Sequence, residues 1–171
     1  LTLRIIFTFN YTSVLERIYR VPSNHILHIH GGLYPYCDEP PILGHGNVKK
    51  IKEYREKAER AAEEYDEGKE SIYNAVANYY ERTFKNTNEC MPQRKFFRQL
   101  TEVNNVEIIG HSFGEVDMPY FTYLKYCISK NAKWKFYYHS SEDYNAAEKA
   151  VKELELDIGD YEILPSDCFW Q

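Results

Sequence analysis

At 171 residues the chain is long enough for one domain with a packed core, since a chain of this size buries roughly 70% of the surface its unfolded form exposes. Its 43% hydrophobic and 27% charged residues, with only 8 Gly and 7 Pro, exclude disordered, collagen-like and low-complexity classes. A net charge of −5 excludes an extended nucleic-acid surface, and apolar runs of about four residues, against the ~18 of a membrane helix, exclude a bilayer span, so the default is a cytoplasmic protein.

The chain opens Leu1-Thr2-Leu3 without an initiator Met and enters strand-like residues almost at once, which reads as the later part of a longer protein. Arg4 to Phe9 is a β-branched and aromatic run suited to a strand covered on both faces, ending at Asn10. Ser13 and Glu16 have the spacing of a capping box, with Leu15, Ile18 and Tyr19 on one face of a short helix closed by Pro22. Ile26 to His30 predicts a second strand, stopped by Gly31-Gly32. Loops through Pro40-Pro41 and Gly44-His45-Gly46 follow.

Residues 49 to 67 carry Ile51, Tyr54, Ala58, Ala61, Ala62 and Tyr65 at helical spacing, and Gly68 interrupts before a second stripe of Ile72, Tyr73, Val76, Tyr80 and Phe84. The pattern predicts a helical hairpin. Residues 49 to 70 hold seven basic and eight acidic side chains, a solvated helix face and not a nucleic-acid patch. Pro92 opens a further helix through Leu100. The third strand is expected at Val106 to Gly110, then a helix from Met118 to about 130 with Asp117 as N-cap, Pro119 in its first turn, and Phe121, Leu124 and Ile128 inward. Trp134 to Tyr138, residues 143 to 155 and Tyr161 to Leu164 continue as strand, helix and strand. The expected fold is therefore α/β, a Rossmann-like parallel sheet of about five strands in one domain over residues 1–171, with a helical insertion at 47–104 and without its first βα unit. The four cysteines, Cys37, Cys90, Cys127 and Cys168, form no C-x-x-C pair and read as reduced thiols.

Three strand ends carry candidate chemistry. Gly110-His111-Ser112-Phe113-Gly114 is a literal G-x-S-x-G after a strand, but a nucleophile elbow needs its helix to begin at the serine, and the cap and proline stand several residues later. A loop at the carboxyl end of a parallel strand more often cradles a phosphate or ribose, with Ser112 as a hydrogen-bonding group. His28-x-His30 places two imidazoles on one face of a strand, near His25 and His45, yet no carboxylate follows at a metal-site spacing and no metal is expected. His28 reads as a satisfied core group, whereas His30 stands at the sheet's carboxyl edge, where a neutral imidazole accepts a proton near pH 7. Asn10 holds the corresponding place on the first strand. The joint placement of Asn10, His30 and Gly110-His111-Ser112 is the argument for a site.

The strings Phe9-Asn10-Tyr11-Thr12 with Leu15-Glu16 and Tyr19, His28-Ile29-His30-Gly31, Ile42-Leu43-Gly44-His45, Phe84-Lys85-Asn86-Thr87, and Gly110-His111-Ser112-Phe113-Gly114 with Asp117 and Tyr120-Phe121 resemble the AbiH family of phage abortive-infection proteins. That family is in turn similar to the sirtuin nucleotide-binding fold. The sirtuin resemblance implies NAD as substrate or ligand: Thr8 and Asn10 match the segment that contacts the nicotinamide ribose, His30 and Gly31 the segment of the catalytic base, and Gly110 and Ser112, with His111 between them, the segment at the adenosine ribose. Asn10 and His30 are then the catalytic pair. Thr12 stands where sirtuins have Asp, and the helical insertion stands where they have a Cys₄ zinc module, so a protein deacylase is not implied. The family's opening glycine-rich segment, of the I-x-G-N-G-F-D type, is absent from this sequence. The implied function is phage defence through hydrolysis of NAD to nicotinamide and ADP-ribose. The alternatives are a non-catalytic module that senses a nucleotide or a phage component and relays it through the helical insertion, which would also suit a homo-oligomer contact, and a serine hydrolase using Ser112.

Overall fold

The computed structural model describes residues 5–33, 40–44, 46–86, 97 and 100–170. The chain divides into two compact units, Leu1–Asn86 and Thr87–Gln171, each built on its own parallel sheet.

In the first unit β1 (Ile6–Thr8) and β2 (Ile26–His28) pair in parallel, Ile6 opposite Ile26 and Thr8 opposite His28. A parallel pair needs a crossover, and residues 9–25 supply it through a single helical turn, α1 (Val14–Arg17), and a 3₁₀ turn at Ser23–His25. All three β2 residues are buried, as are Thr8 and the four residues that follow β2, Ile29 to Gly32. The capping box expected at Ser13 is not formed. Ser13 stands at the N-cap without a side-chain cap bond, and Glu16 turns inward instead.

The predicted hairpin is present as α2 (Val48–Glu63) and α3 (Glu67–Arg82). Asn47 and Asp66 cap the two helices, accepting from the Lys50 and Lys69 backbone N–H groups at 3.0 Å each. Gly68 is not the break: the chain turns at Glu64 to Asp66, with Tyr65 at φ 57°, and Gly68 lies in the first turn of α3. The reason is local, because Asp66 supplies an acceptor for the new helix whereas glycine only weakens one. Buried Ala58, Ala61 and Ala77 let the helices approach, and Tyr54 stacks on Tyr80 with 6.0 Å between centroids. Arg55 bridges the pair, donating to Glu81 at 2.7 Å, Asn74 at 2.9 Å and Asn78 at 2.7 Å. On the solvated face, hydrogen bonds from Lys57 and Lys50 hold the Glu53 carboxyl below the usual carboxylate range.

In the second unit β3 (Asn105–Ile109), β4 (Lys133–Tyr138) and β5 (Tyr161–Pro165) form a parallel sheet in that order, with α4 (Met118–Cys127) and α5 (Ser141–Glu153) as crossovers and a closing 3₁₀ segment at Ser166–Trp170. The predicted β-α-β-α-β order holds. Central β4 contributes Trp134 and Phe136 to the core, and Phe121 and Leu124 of α4 and Ala147, Ala150 and Val151 of α5 are buried as well. Lys125 ties the helices' ends together, its Nζ donating to the carbonyls of Leu154 at 2.6 Å and Glu155 at 3.0 Å. A capping box that sequence reading passed over starts α5, where Ser140 accepts from the Asp143 N–H and Asp143 accepts from the Ser140 N–H.

The single sheet of about five strands is corrected to two sheets of two and three strands. Periodicity identifies a strand but not its ladder partner, and the crossovers through α1, α4 and α5 pair only neighbours in sequence. The helix expected from Pro92 lies outside the described residues except Phe97 and Leu100, both buried. Cys127 and Cys168 are free thiols, with burial pushing the Cys127 thiol up, while Cys37 and Cys90 lie outside the described residues. No helix among the described residues is long and apolar enough to cross a membrane.

Glycine is required most sharply at Gly44, whose φ is 156° and where a Cβ would meet the Thr83 carbonyl oxygen at 2.5 Å. Gly110 has φ 62° with open space around it. Gly44→Ala is therefore expected to cost about 2–4 kcal/mol in urea denaturation, and Gly110→Ala only about 1 kcal/mol, from backbone strain alone. Equal costs would show that the Gly44–Thr83 approach does not constrain the fold.

Candidate functional site

The paired register of the first unit ends at Thr8 and His28, and beyond it side chains join the main chain in holding the strand ends. Asn10, two residues past β1, is exposed, yet the peptide groups on both sides of its Cα are held from within. Its N–H donates to the Thr8 hydroxyl at 3.2 Å, and its carbonyl accepts from His28 Nδ1 at 3.1 Å. A carbonyl only accepts, so Nδ1 carries a hydrogen. On the other edge of the ring, His28 Nε2 lies 2.7 Å from Glu16 Oε1, with side-chain exposures of 6% and 5%. Glu16 is thus committed to a long-range bond across the crossover, which is why it does not close the capping box. Its second oxygen, Oε2, is buried and has no hydrogen-bond partner among the described residues.

His28 is the satisfied core histidine that the sequence implied. His30, just past β2, is 5% exposed, with Phe9 edge-on at 5.4 Å and Tyr11 at 6.3 Å between ring centroids. The loop at residues 40–44 lies against the same region: Ile42 N–H donates to the His30 carbonyl at 2.8 Å, and the Tyr11 hydroxyl donates to the Ile42 carbonyl at 3.1 Å. Gly31 follows with φ 70° and closes a turn onto the His28 carbonyl, a conformation that favours glycine. Thr8, Asn10, His28, His30 and Gly31 are therefore brought together at the carboxyl ends of β1 and β2. Because His30 is enclosed, truncating it to Ala removes packing as well as an imidazole, so an isosteric change is the cleaner probe.

In the second unit the Gly110 to Gly114 loop follows β3. Phe113 sits at φ 52°, and its N–H donates to His111 Nδ1 at 2.9 Å. The His111 hydrogen is then on Nε2, which faces Asp117 Oδ2 at 3.5 Å. The ring also packs edge-on against Phe121 and Phe113 at 4.9 and 5.0 Å. His111 thus shapes the loop, while Gly110 and Ser112 are exposed. Asp117 stands at the N-cap of α4 but makes no side-chain cap bond, its carboxylate facing His111 instead. α4 starts at Met118, six positions after Ser112, so the loop lacks the strand-to-helix turn of a nucleophile elbow. Sequence reading missed the roles of Glu16 and Asp117 as histidine partners. Their only signal was spacing, and both spacings also fit helix caps.

Each unit thus has parallel strands followed by polar residues at their carboxyl ends, Asn10 and His30 in the first and His111 and Ser112 in the second. The family model for bacteriophage abortive infection AbiH matches residues 1–138, and the chain belongs to that family. No curated protein and no solved structure matches it. The match runs through both strand-end clusters and ends with β4.

His111→Ala is expected to destabilise the protein by about 2–4 kcal/mol, from lost packing and an unpaired Phe113 N–H, whereas Ser112→Ala stays within about 0.5 kcal/mol. Chemical denaturation of the two variants checks this. A serine-directed fluorophosphonate is expected to leave Ser112 unlabelled, and stoichiometric labelling would reinstate the hydrolase.

Proposed function

We propose that this member of the abortive infection family binds NAD at the carboxyl ends of β1 and β2 and hydrolyses it to nicotinamide and ADP-ribose. The observation that carries the reading is the exposed Asn10, tethered through both of its peptide groups past the end of a parallel strand pair, between Phe9 and Tyr11, whose rings meet His30. The Asn10 amide holds a ribose hydroxyl or the attacking water. Water adds to C1′ of the nicotinamide ribose as the bond from C1′ to the pyridinium nitrogen breaks. That electron pair leaves with neutral nicotinamide, and the proton of the water passes to His30 acting as general base. Gly31 brings the backbone close to the ligand.

The second reading, a sensor that binds a nucleotide or phage component without turning it over, is favoured by the enclosure of His30 under Phe9, Tyr11 and the 40–44 loop. The hairpin would then carry the signal to a phage component or a second copy, through exposed Ile72 and Tyr79.

Nicotinamide release by the purified full chain, followed by chromatography, separates the two. Turnover is expected, with Asn10→Ala and His30→Gln each lowering kcat by about 10²- to 10⁴-fold, the usual range for lost positioning or general-base help. ADP-ribose binding by calorimetry without nicotinamide release would establish the sensor instead. Absence of both binding and turnover would overturn the hydrolysis and the nucleotide-sensing readings alike.

A further inference from the structure

Glu16 and His28 lie outside the set of residues that would touch a ligand, yet their side chains are almost wholly buried, 5% and 6% exposed. The chain of bonds runs from Glu16 Oε1 on α1 to Nε2 of His28 on β2, and from His28 Nδ1 to the carbonyl of Asn10 past β1. The Thr8 hydroxyl takes the Asn10 N–H, so the peptide planes on either side of the Asn10 Cα are both fixed. Fixing two consecutive planes sets φ and ψ at that residue, and therefore the direction in which its exposed side chain leaves the backbone. No ladder bond does this, because the β1–β2 register ends at Thr8 and His28.

The cost of the arrangement argues in the same direction. A buried carboxylate with one oxygen unmatched among the described residues is poor value as a source of stability alone, since well-packed apolar residues of similar volume often replace a buried pair without loss. What an apolar pair cannot do is aim an N–H at the Asn10 carbonyl. We propose that Glu16 and His28 are positioning residues, a buried relay that orients Asn10 toward the nicotinamide ribose. Glu16 fixes the ring, the ring fixes the Asn10 peptide, and the Asn10 side chain meets the ligand. The proposal rests on the reading of Asn10 as a ligand contact.

The test uses pairs of substitutions that separate the two edges of the ring. His28→Asn keeps an amide N–H near the place of Nδ1, and His28→Gln keeps one near the place of Nε2. Glu16→Gln keeps a polar partner for Nε2, and Glu16→Leu removes it. Two readouts are taken on the full chain: the Asn10 amide shift and hydrogen-exchange rate by NMR, and kcat and KM for NAD. His28→Asn and Glu16→Gln are expected to rescue both, with kcat within about 3-fold of wild type. His28→Gln and Glu16→Leu are expected to speed Asn10 exchange at least about 10-fold and to lower kcat by about 10²-fold with KM little changed, the effect of a misplaced group. Equal behaviour within both pairs, in either direction, overturns the relay. Either pair decides if one variant of the other does not fold, as judged by the Phe7 and Leu27 amides. If wild-type protein releases no nicotinamide, the hydrolysis reading fails while the exchange data still decide the relay.

Discussion

Glu16 and His28 meet at 2.7 Å with both side chains almost wholly enclosed, and the local order of the first unit follows from that contact. It draws the one-turn α1 down onto β2, orients the imidazole so that Nδ1 reaches the Asn10 carbonyl, and so extends the organisation of the strand pair beyond its last ladder bond. Both halves of such a contact must be present. Removing one partner of a buried ionisable pair typically costs about 3–5 kcal/mol, because the other is left without compensation in a low-dielectric setting. The two histidines of the His28-x-His30 segment consequently have different work. His28 is occupied at both nitrogens, whereas His30, past the strand end, is enclosed by aromatic rings and by the loop at residues 40–44.

The second unit solves a similar problem differently. Its strand-end loop is held by His111, whose Nδ1 accepts a main-chain N–H and whose Nε2 faces Asp117, while Phe113 and Phe121 cover the ring. A histidine in each unit therefore spends its hydrogen bonds on the backbone geometry of the residue that stays exposed, Asn10 in one and Ser112 in the other. The tyrosines, 16 in all, have a more ordinary part in the hairpin, where Tyr54, Tyr73 and Tyr80 fill the seam that the alanines leave open.

Much of this was legible from the residues. The hairpin, the β-α-β-α-β order, the inward stripe of α4 and the core role of His28 all follow from periodicity, because a 3.6-residue stripe or a β-branched run leaves few alternatives. The family was legible from short strings at strand ends, and its model matches residues 1–138. What could not be read was partner choice. Ser13 and Glu16 have the spacing of a capping box, and Asp117 precedes Pro119 as an N-cap would, but Glu16 bonds a buried histidine twelve residues away and Asp117 faces one on the neighbouring loop, partners that local spacing does not reveal. Gly68 misled for a related reason, since the acceptor of Asp66 and not the flexibility of glycine decides where α3 begins. Strand partnership is likewise a property of crossovers, so five strands read from periodicity became sheets of two and three.

The central claim is that Glu16 and His28 act as a unit. A double-mutant cycle on Glu16→Leu and His28→Leu, read by urea denaturation, tests it most directly. The account predicts that each single change costs about 3 kcal/mol and that the double change costs little more than either, a coupling of about 2 kcal/mol or greater. Additivity within about 0.5 kcal/mol would contradict it.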